Sequence, residues 1–166
     1  MVVKKEKKAD STVIPTELDL GYLGFFLGLR MNELVAQSLV SAGFERVRQS
    51  HGYVIQHLIE QDRTITELAN RMEVTQQAAS KIVGEMVELG ILESVVAEDR
   101  RARHIRLSER GWQSVRLARK ARRKVEARLI AKTGAAYIAA KETLLECLTE
   151  LGGLQRIRSR RIREPR

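Results

Sequence analysis

The stretch VTQQAASKIVGEMVELG, Val74 to Gly90, decides how the rest of the chain is read. On a helical wheel Ala78, Ala79, Ile82, Val83, Met86 and Leu89 share one side, a core-facing stripe. Gln77, Ser80, Lys81 and Gly84 share the other side. Amides, a hydroxyl, one cation and a glycine that costs helix stability are a poor choice for a face that meets only water. The question is what a short helix with that surface touches.

Its neighbours narrow the answer. Upstream, Thr64-x-x-Glu67 is a capping box ahead of Ile65, Leu68, Ala69 and Met72, so a short helix opens at Thr64. Glu73 and Val74 make a tight turn, and Thr75 is the natural N-cap of the quoted helix. Before them a helix runs from about Glu45 to Ile59 and ends ahead of the Asp62–Arg63 turn. Downstream the period changes. Ile91 to Ala97 is β-branched and apolar enough for a strand, Glu98 to Ala102 is a charged turn, and Arg103 to Leu107 alternates as a second strand. Ser108 caps a long Arg/Lys-rich helix from Glu109 to about Lys132, broken at Thr133-Gly134. A last amphipathic helix covers about Ala135 to Leu151.

The first helix, Glu17 to about Ala42, is too apolar all round to have a single covered side, so it packs within a larger assembly or against a second subunit. Residues 1–16 mix lysines with Asp10, Ser11 and Pro15 and read as a flexible basic arm. Residues 152–166 form an Arg-rich basic tail. The chain has 166 residues, a net charge of +9 and a pI near 10.1. That balance favours polyanions as partners. One cysteine, Cys147, excludes an internal disulfide framework. The longest apolar run, Leu20 to Leu29, is too short to span a bilayer, and Glu17 and Asp19 argue against a signal peptide. A cytoplasmic, nucleoid-associated protein with no membrane partner is expected.

Helix, capped short helix, tight turn, polar-faced helix and charged hairpin is the order of a winged helix-turn-helix. A helix fits the DNA major groove, where Gln pairs with adenine, Ser suits either partner, and Lys reaches guanine or phosphate. Thr75, Gln76, Gln77, Ser80 and Lys81 stand near the N-terminus of the quoted helix, where the positive dipole end also favours phosphate. Arg100, Arg101 and Arg103 cluster at the hairpin tip, suited to a narrow minor groove or to phosphates. Asp99 is expected to fix the turn by pairing with an arginine.

At these residues the chain resembles the MarR family of bacterial transcription regulators. The resemblance covers about Leu18 to Leu151. Its most specific parts are TITELANRMEVTQQAASKIVGEMVELGILES (64–94) and EDRRARHIRLSERG (98–111), with the D-x-R of the family wing at Asp99 and Arg101 and its closing residues at Leu107, Ser108 and Gly111. The resemblance implies a mainly α fold, about six helices plus a two-stranded β-hairpin wing, with N- and C-terminal dimerisation helices at 17–43 and 109–151 and the winged helix-turn-helix at 44–108 in one domain, 17–151. It also implies a homodimeric repressor of a pseudo-palindromic double-stranded DNA operator, released by a small-molecule effector. Family recognition helices usually carry an arginine near Gln76 and an acid near Gly84, so base preference does not carry over. The basic tail from Arg156 to Arg166 also exceeds a typical family end.

An effector pocket is expected where the first, second and long fifth helices meet, with Arg30, Met31, His51, Tyr53 and Trp112 as lining residues. His51, His57 and His104 lack metal-ligand spacing, so no metal and no cofactor are expected. Cys147 reads as a small buried hydrophobe. No nucleophile–base–orienter set and no Gly-rich phosphate loop stand out, which argues against an enzyme. The Arg/Lys run on the long helix reads as a solvated face, with some arginines reaching phosphates. Two rival readings are an architectural nucleic-acid coater that uses charge with little sequence choice, and a ligand-carrying interaction module without DNA binding.

Overall fold

A computed structural model describes residues 14–96 and 103–154. Most of both basic ends and the hairpin tip therefore lie outside the described residues. A single 3-10 turn at Pro15–Glu17 leads into α1, Leu20–Val40. Asp19 caps α1 by accepting the Tyr22 amide at 2.9 Å. Gly43, with φ +84°, turns the chain away after α1. Phe44 is then buried in the core, and the Arg110 guanidinium lies 4.5 Å above its ring. The turn that Phe44 anchors, with Val47 N–H donating to the Phe44 carbonyl at 3.0 Å, delays α2 to Gln49–Leu58. The helix expected from Glu45 thus begins later, because a core side chain holds the preceding residues in a turn.

The central helices form as their caps dictate. Thr64 Oγ1 accepts the Glu67 amide at 3.2 Å, and Glu67 Oε2 accepts the Thr64 amide at 2.7 Å. This reciprocal cap opens α3, Ile65–Met72, and holds the Glu67 carboxyl below its usual range. Glu73 adopts φ 55°, the left-handed conformation that stops α3. Thr75 Oγ1 accepts the Ala78 amide at 3.1 Å and starts α4, Gln76–Glu88. Gly90, at φ +67°, ends it.

Two antiparallel strands follow, β1 (Leu92–Val96) and β2 (Arg103–Leu107), with Leu92 opposite Leu107 and Val96 opposite Arg103. Arg63 adds a one-residue third rung, exchanging backbone hydrogen bonds of 3.1 and 2.7 Å with Ile105. The long α5, Glu109–Thr133, packs along α1, and Arg122 donates to Asn32 Oδ1 across that contact at 3.0 Å. The last helix is α6, Ala135–Glu150. Among the described residues no helix is long and apolar enough to cross a membrane.

The core belongs to the middle of the chain. Val54, Leu68, Met86 and Ile91 are fully buried, with Leu92, Ile105, Leu107 and Val115 around them. Each such side chain stabilises the fold by about 1.5–3 kcal/mol relative to exposure. The terminal helices contribute little to it. On α1 only Val35 is buried, while Tyr22, Phe25 and Phe26 are 57%, 61% and 53% exposed; α6 buries no residue and leaves Ile138, Leu145 and Leu148 exposed. Cys147, expected to be buried, is half-exposed because α6 has no covered side within one chain.

One close contact joins the hairpin to the long helix. A Cβ at Gly111 would stand 2.2 Å from the Ile91 carbonyl oxygen. Gly111→Ala must therefore push α5 away from the start of β1, and it is expected to cost about 1–3 kcal/mol or more. Denaturant unfolding of the two proteins checks this, and equal midpoints would contradict it.

Candidate nucleic-acid interface

The polar face of α4 is presented as its sequence pattern requires. Ala79, Val83 and Met86 are buried on one side, while Gln76, Gln77, Ser80, Lys81 and Gly84 are exposed on the other. Thr75 is exposed beside them and its hydroxyl is engaged in the cap. The first intrahelical bond of α4 runs from the Ala79 amide to the Thr75 carbonyl, which leaves the amides of Gln76 and Gln77 outside the ladder. Side-chain donors, free amides and the positive helix end thus converge on one exposed patch. The first acid along α4, Glu85, is paired with Arg48 from the start of α2, so its charge is offset where it would repel a polyanion.

The hairpin stands beside this helix on the same core. Arg103 is exposed at the start of β2, closest to the tip. Arg106 is tied across the ladder to Glu93 at 2.6 Å and is less available. The residues expected to carry the tip, Asp99, Arg100 and Arg101, lie outside the described residues. The hairpin base is set by Ser108, whose hydroxyl donates to the Gly90 carbonyl at 2.5 Å and accepts the Gly111 amide at 3.0 Å.

Comparison with known proteins agrees with this geometry. The family model for the MarR family matches residues 47–102, from the turn before α2 through β1 to the hairpin. That segment is similar to the MarR family's winged helix-turn-helix. No curated protein sequence matches the chain. RV1404 from Mycobacterium tuberculosis is similar at a TM-score of 0.67 and 20% identity, over 82% of this chain and 97% of that one. MepR, a transcription regulator of the Staphylococcus aureus multidrug efflux pump MepA, is similar at 0.65 and 17%, over 81% and 99%. A MepR mutant bound to an oligodeoxyribonucleotide is similar at 0.61 and 17%, over 81% and 99%. At these identities the likeness is one of fold.

Within the MarR-type fold a cleft of about 690 Å³ opens where α1, α2 and α5 meet. Of the residues expected to line it, Tyr53 does. The other expected lining residues are placed elsewhere. His51 is 1% exposed and faces α4, accepting the Arg48 amide on Nδ1 at 3.2 Å, with Nε2 3.8 Å from Glu85. Trp112 packs on the central core, and Arg30 pairs with Glu33 at 2.8 Å on the surface. Met31 is half-buried on α1 and is not part of the lining. The polar lining includes Arg48, Arg119, Arg122, Asn32 and Glu33, beside apolar Leu39, Ile55 and Ile59. Among the described residues, no group of three or more His, Cys, Asp or Glu side chains could hold a metal ion.

Sequence reasoning missed Arg48 and Glu85. A helix assigned from Glu45 hides Arg48 inside it, whereas the residue is the N-cap of α2 and points its side chain at α4. Burial, and next the Arg48 charge, hold the His51 pKa below its ordinary 6.5, against an opposing pull from Glu85. The unfolded chain therefore binds this proton first as pH falls. Stability from the neutral ring is full above about pH 6.5 and is lost as pH drops below that value towards the folded-state pKa. Wild type is expected to lose stability below pH 6.5 more steeply than His51→Gln, measured as denaturant midpoints against pH. Parallel profiles would contradict it.

Proposed function

We propose that the protein is a homodimeric, sequence-specific, double-stranded DNA-binding transcription regulator of the MarR type, acting as a ligand-responsive repressor. The observation that carries this reading is the outer face of α4. Gln76, Gln77, Ser80 and Lys81 are exposed and have no side-chain partner among the described residues. They stand at the N-terminal end of a helix narrow enough for the major groove. A protein of the same fold, MepR, has been seen with an oligodeoxyribonucleotide bound. The net charge of +9 adds an electrostatic attraction to phosphate that salt should weaken strongly. The reading puts the protein on nucleoid DNA in the cytoplasm.

Dimerisation rests on the terminal helices. A monomer that exposes Tyr22, Phe25, Phe26, Leu145 and Leu148 has an apolar surface that water does not favour. A second copy, bringing the same helices, would cover it. Two α4 helices related by a two-fold axis would then meet half-sites about one helical turn apart, roughly 34–36 Å. Phe25→Asp is expected to sediment as a monomer and to bind operator DNA more weakly, since each protomer then engages a single half-site. A dimer of unchanged stability in that variant would remove Phe25 from the interface.

The charge alone also fits an architectural coater, and one experiment separates the two. Selection of bound fragments from a genomic DNA pool at near-physiological salt should return an inverted repeat. Gln77→Ala and Lys81→Ala should each cost about 1–3 kcal/mol on that repeat and relax base choice at one position. Arg103→Ala should instead weaken binding uniformly and lower the salt slope by about one. Binding without an enriched motif would favour the coater.

A further inference from the structure

The long helix α5 holds most of the excess positive charge of the chain. Nine of its 25 residues are Arg or Lys and two are Glu, against a net charge of +9 for all 166 residues. These cations are not spread evenly around it. Gly111, Ser114, Val115 and Ala121 are buried, and Arg122 reaches Asn32 on α1, which fixes the side of α5 that faces inward. At about 100° per residue, Arg116, Lys120 and Arg123 fall on the opposite side with Lys124 at its edge. All four are exposed.

Little offsets the charge of this ridge. Of the two acids on α5, Glu109 pairs with Arg116 at 2.6 Å and Glu126 pairs with Lys141 of α6. The Glu109 pair is exposed on both sides, so water and salt weaken it. Lys120, Arg123 and Lys124 have no ion-pair partner among the described residues. Arg116 with Lys120, and Lys120 with both Arg123 and Lys124, are like-charge neighbours at the spacings that bring helical side chains together, which disfavours the helix. A polyanion laid on the ridge removes that repulsion. From Arg116 to Lys124 the ridge is about 12 Å long, of the order of a DNA groove width, so its two ends reach phosphates of both strands. No amide or hydroxyl side chain occurs between Arg116 and Lys124. What the ridge offers is charge, which holds phosphate and carries no sequence information.

We propose that the outer ridge of α5 is a second DNA-contacting surface, separate from α4 and the hairpin, that binds the phosphate backbone of double-stranded DNA whatever its sequence. This rests on DNA being the partner, as read above, but not on the existence of an operator. The two surfaces divide the work: α4 discriminates among bases, and α5 adds affinity on any duplex. The rival occupant is α6 of a second copy, whose Glu142, Glu146 and Glu150 are exposed and recur every fourth residue. DNA is favoured over it because the outward positions from Arg116 to Lys124 carry no apolar side chain. A protein interface is depleted of charge at its centre, whereas interfaces with DNA are strongly positive.

The test follows binding of a random-sequence DNA duplex to the full-length protein by fluorescence anisotropy over a range of salt concentrations. Lys120→Gln/Arg123→Gln is compared with Arg128→Gln/Lys132→Gln, which removes the same charge from exposed positions of the same helix that lie off the ridge. The slope of log affinity against log salt is expected to flatten by about two in the ridge variant, near one for each lost phosphate contact, and to keep its wild-type value in the other. On a selected operator, the ridge variant should keep the wild-type ratio of specific to non-specific affinity. Equal slopes in the two variants would mean that net charge alone matters and would overturn the ridge. A ridge variant that sediments as a monomer where wild type is a dimer would overturn it too, since the acids of a second α6 would then be its occupant. The random duplex needs no operator, so failure of the ridge is distinguishable from failure of the operator selection, on which the regulator reading stands or falls.

Discussion

The placement of both α4 and the hairpin depends on how closely the start of α5 lies against the Ile91 carbonyl. Only a hydrogen at the Cα of residue 111 permits that approach. Ser108 fills the remaining polar demand. Its amide donates to the Ile91 carbonyl at 3.1 Å, and its hydroxyl bonds the Gly90 carbonyl while capping α5 through Gly111. The end of α4, the start of β1 and the start of α5 are thus fixed within a few residues of one another. A hairpin of two five-residue strands has little stability alone. Here it is held at its base by this joint and on its β2 side by the Arg63 rung, so its position relative to α4 is not left to the loop.

The parts of the fold that were legible in the sequence are those set by local chemistry. Thr64 with Glu67, Thr75 and Ser108 announce helix starts because a hydroxyl three residues ahead of an amide satisfies a donor that the helix cannot. The alternation in Arg103–Leu107 gave β2 its bounds for a similar reason, since one face must be apolar to meet the core. What local chemistry does not encode was lost. The start of α2 depends on Phe44 being captured by a core that lies distant in sequence. The lining of the cleft depends on the rotation of α2, and a late start turns His51 towards α4 and leaves Tyr53 facing α1 and α5. The Arg48–Glu85 pair joins residues 37 positions apart, for which no short-range signal exists.

Charge is unevenly distributed across the molecule. On α5, Arg116 pairs with Glu109 and Arg122 with Asn32, while Arg119, Lys120, Arg123 and Lys124 are exposed and the next acid of the helix, Glu126, is paired with Lys141 of α6. On α4 the balance is finer. Lys81 is its one cation, and Glu85 is neutralised from another helix. The contrast matters because long-range attraction to a polyanion needs only net charge, whereas discrimination among bases needs hydrogen-bonding groups that are not already satisfied. The α5 face suits the first purpose and the exposed face of α4 the second.

Gly84 bears on the same distinction. An interior helical glycine costs about 1 kcal/mol relative to alanine. At Gly111 the cost has an internal cause, a carbonyl that leaves no room. At Gly84 it has none: a Cβ there would meet nothing within 4 Å, and its backbone is ordinary helix. Gly24 and Gly28, four residues apart on the apolar surface of α1, likewise have open space above them. A chain that tolerates such a cost in open space gains from it only when another surface comes close to the backbone. On α1 that surface would be a helix of the second protomer, because small residues allow helix axes to approach. On α4 it would be the floor of a groove, reached by a helix with no side chain in the way between Ser80, Lys81 and the bases.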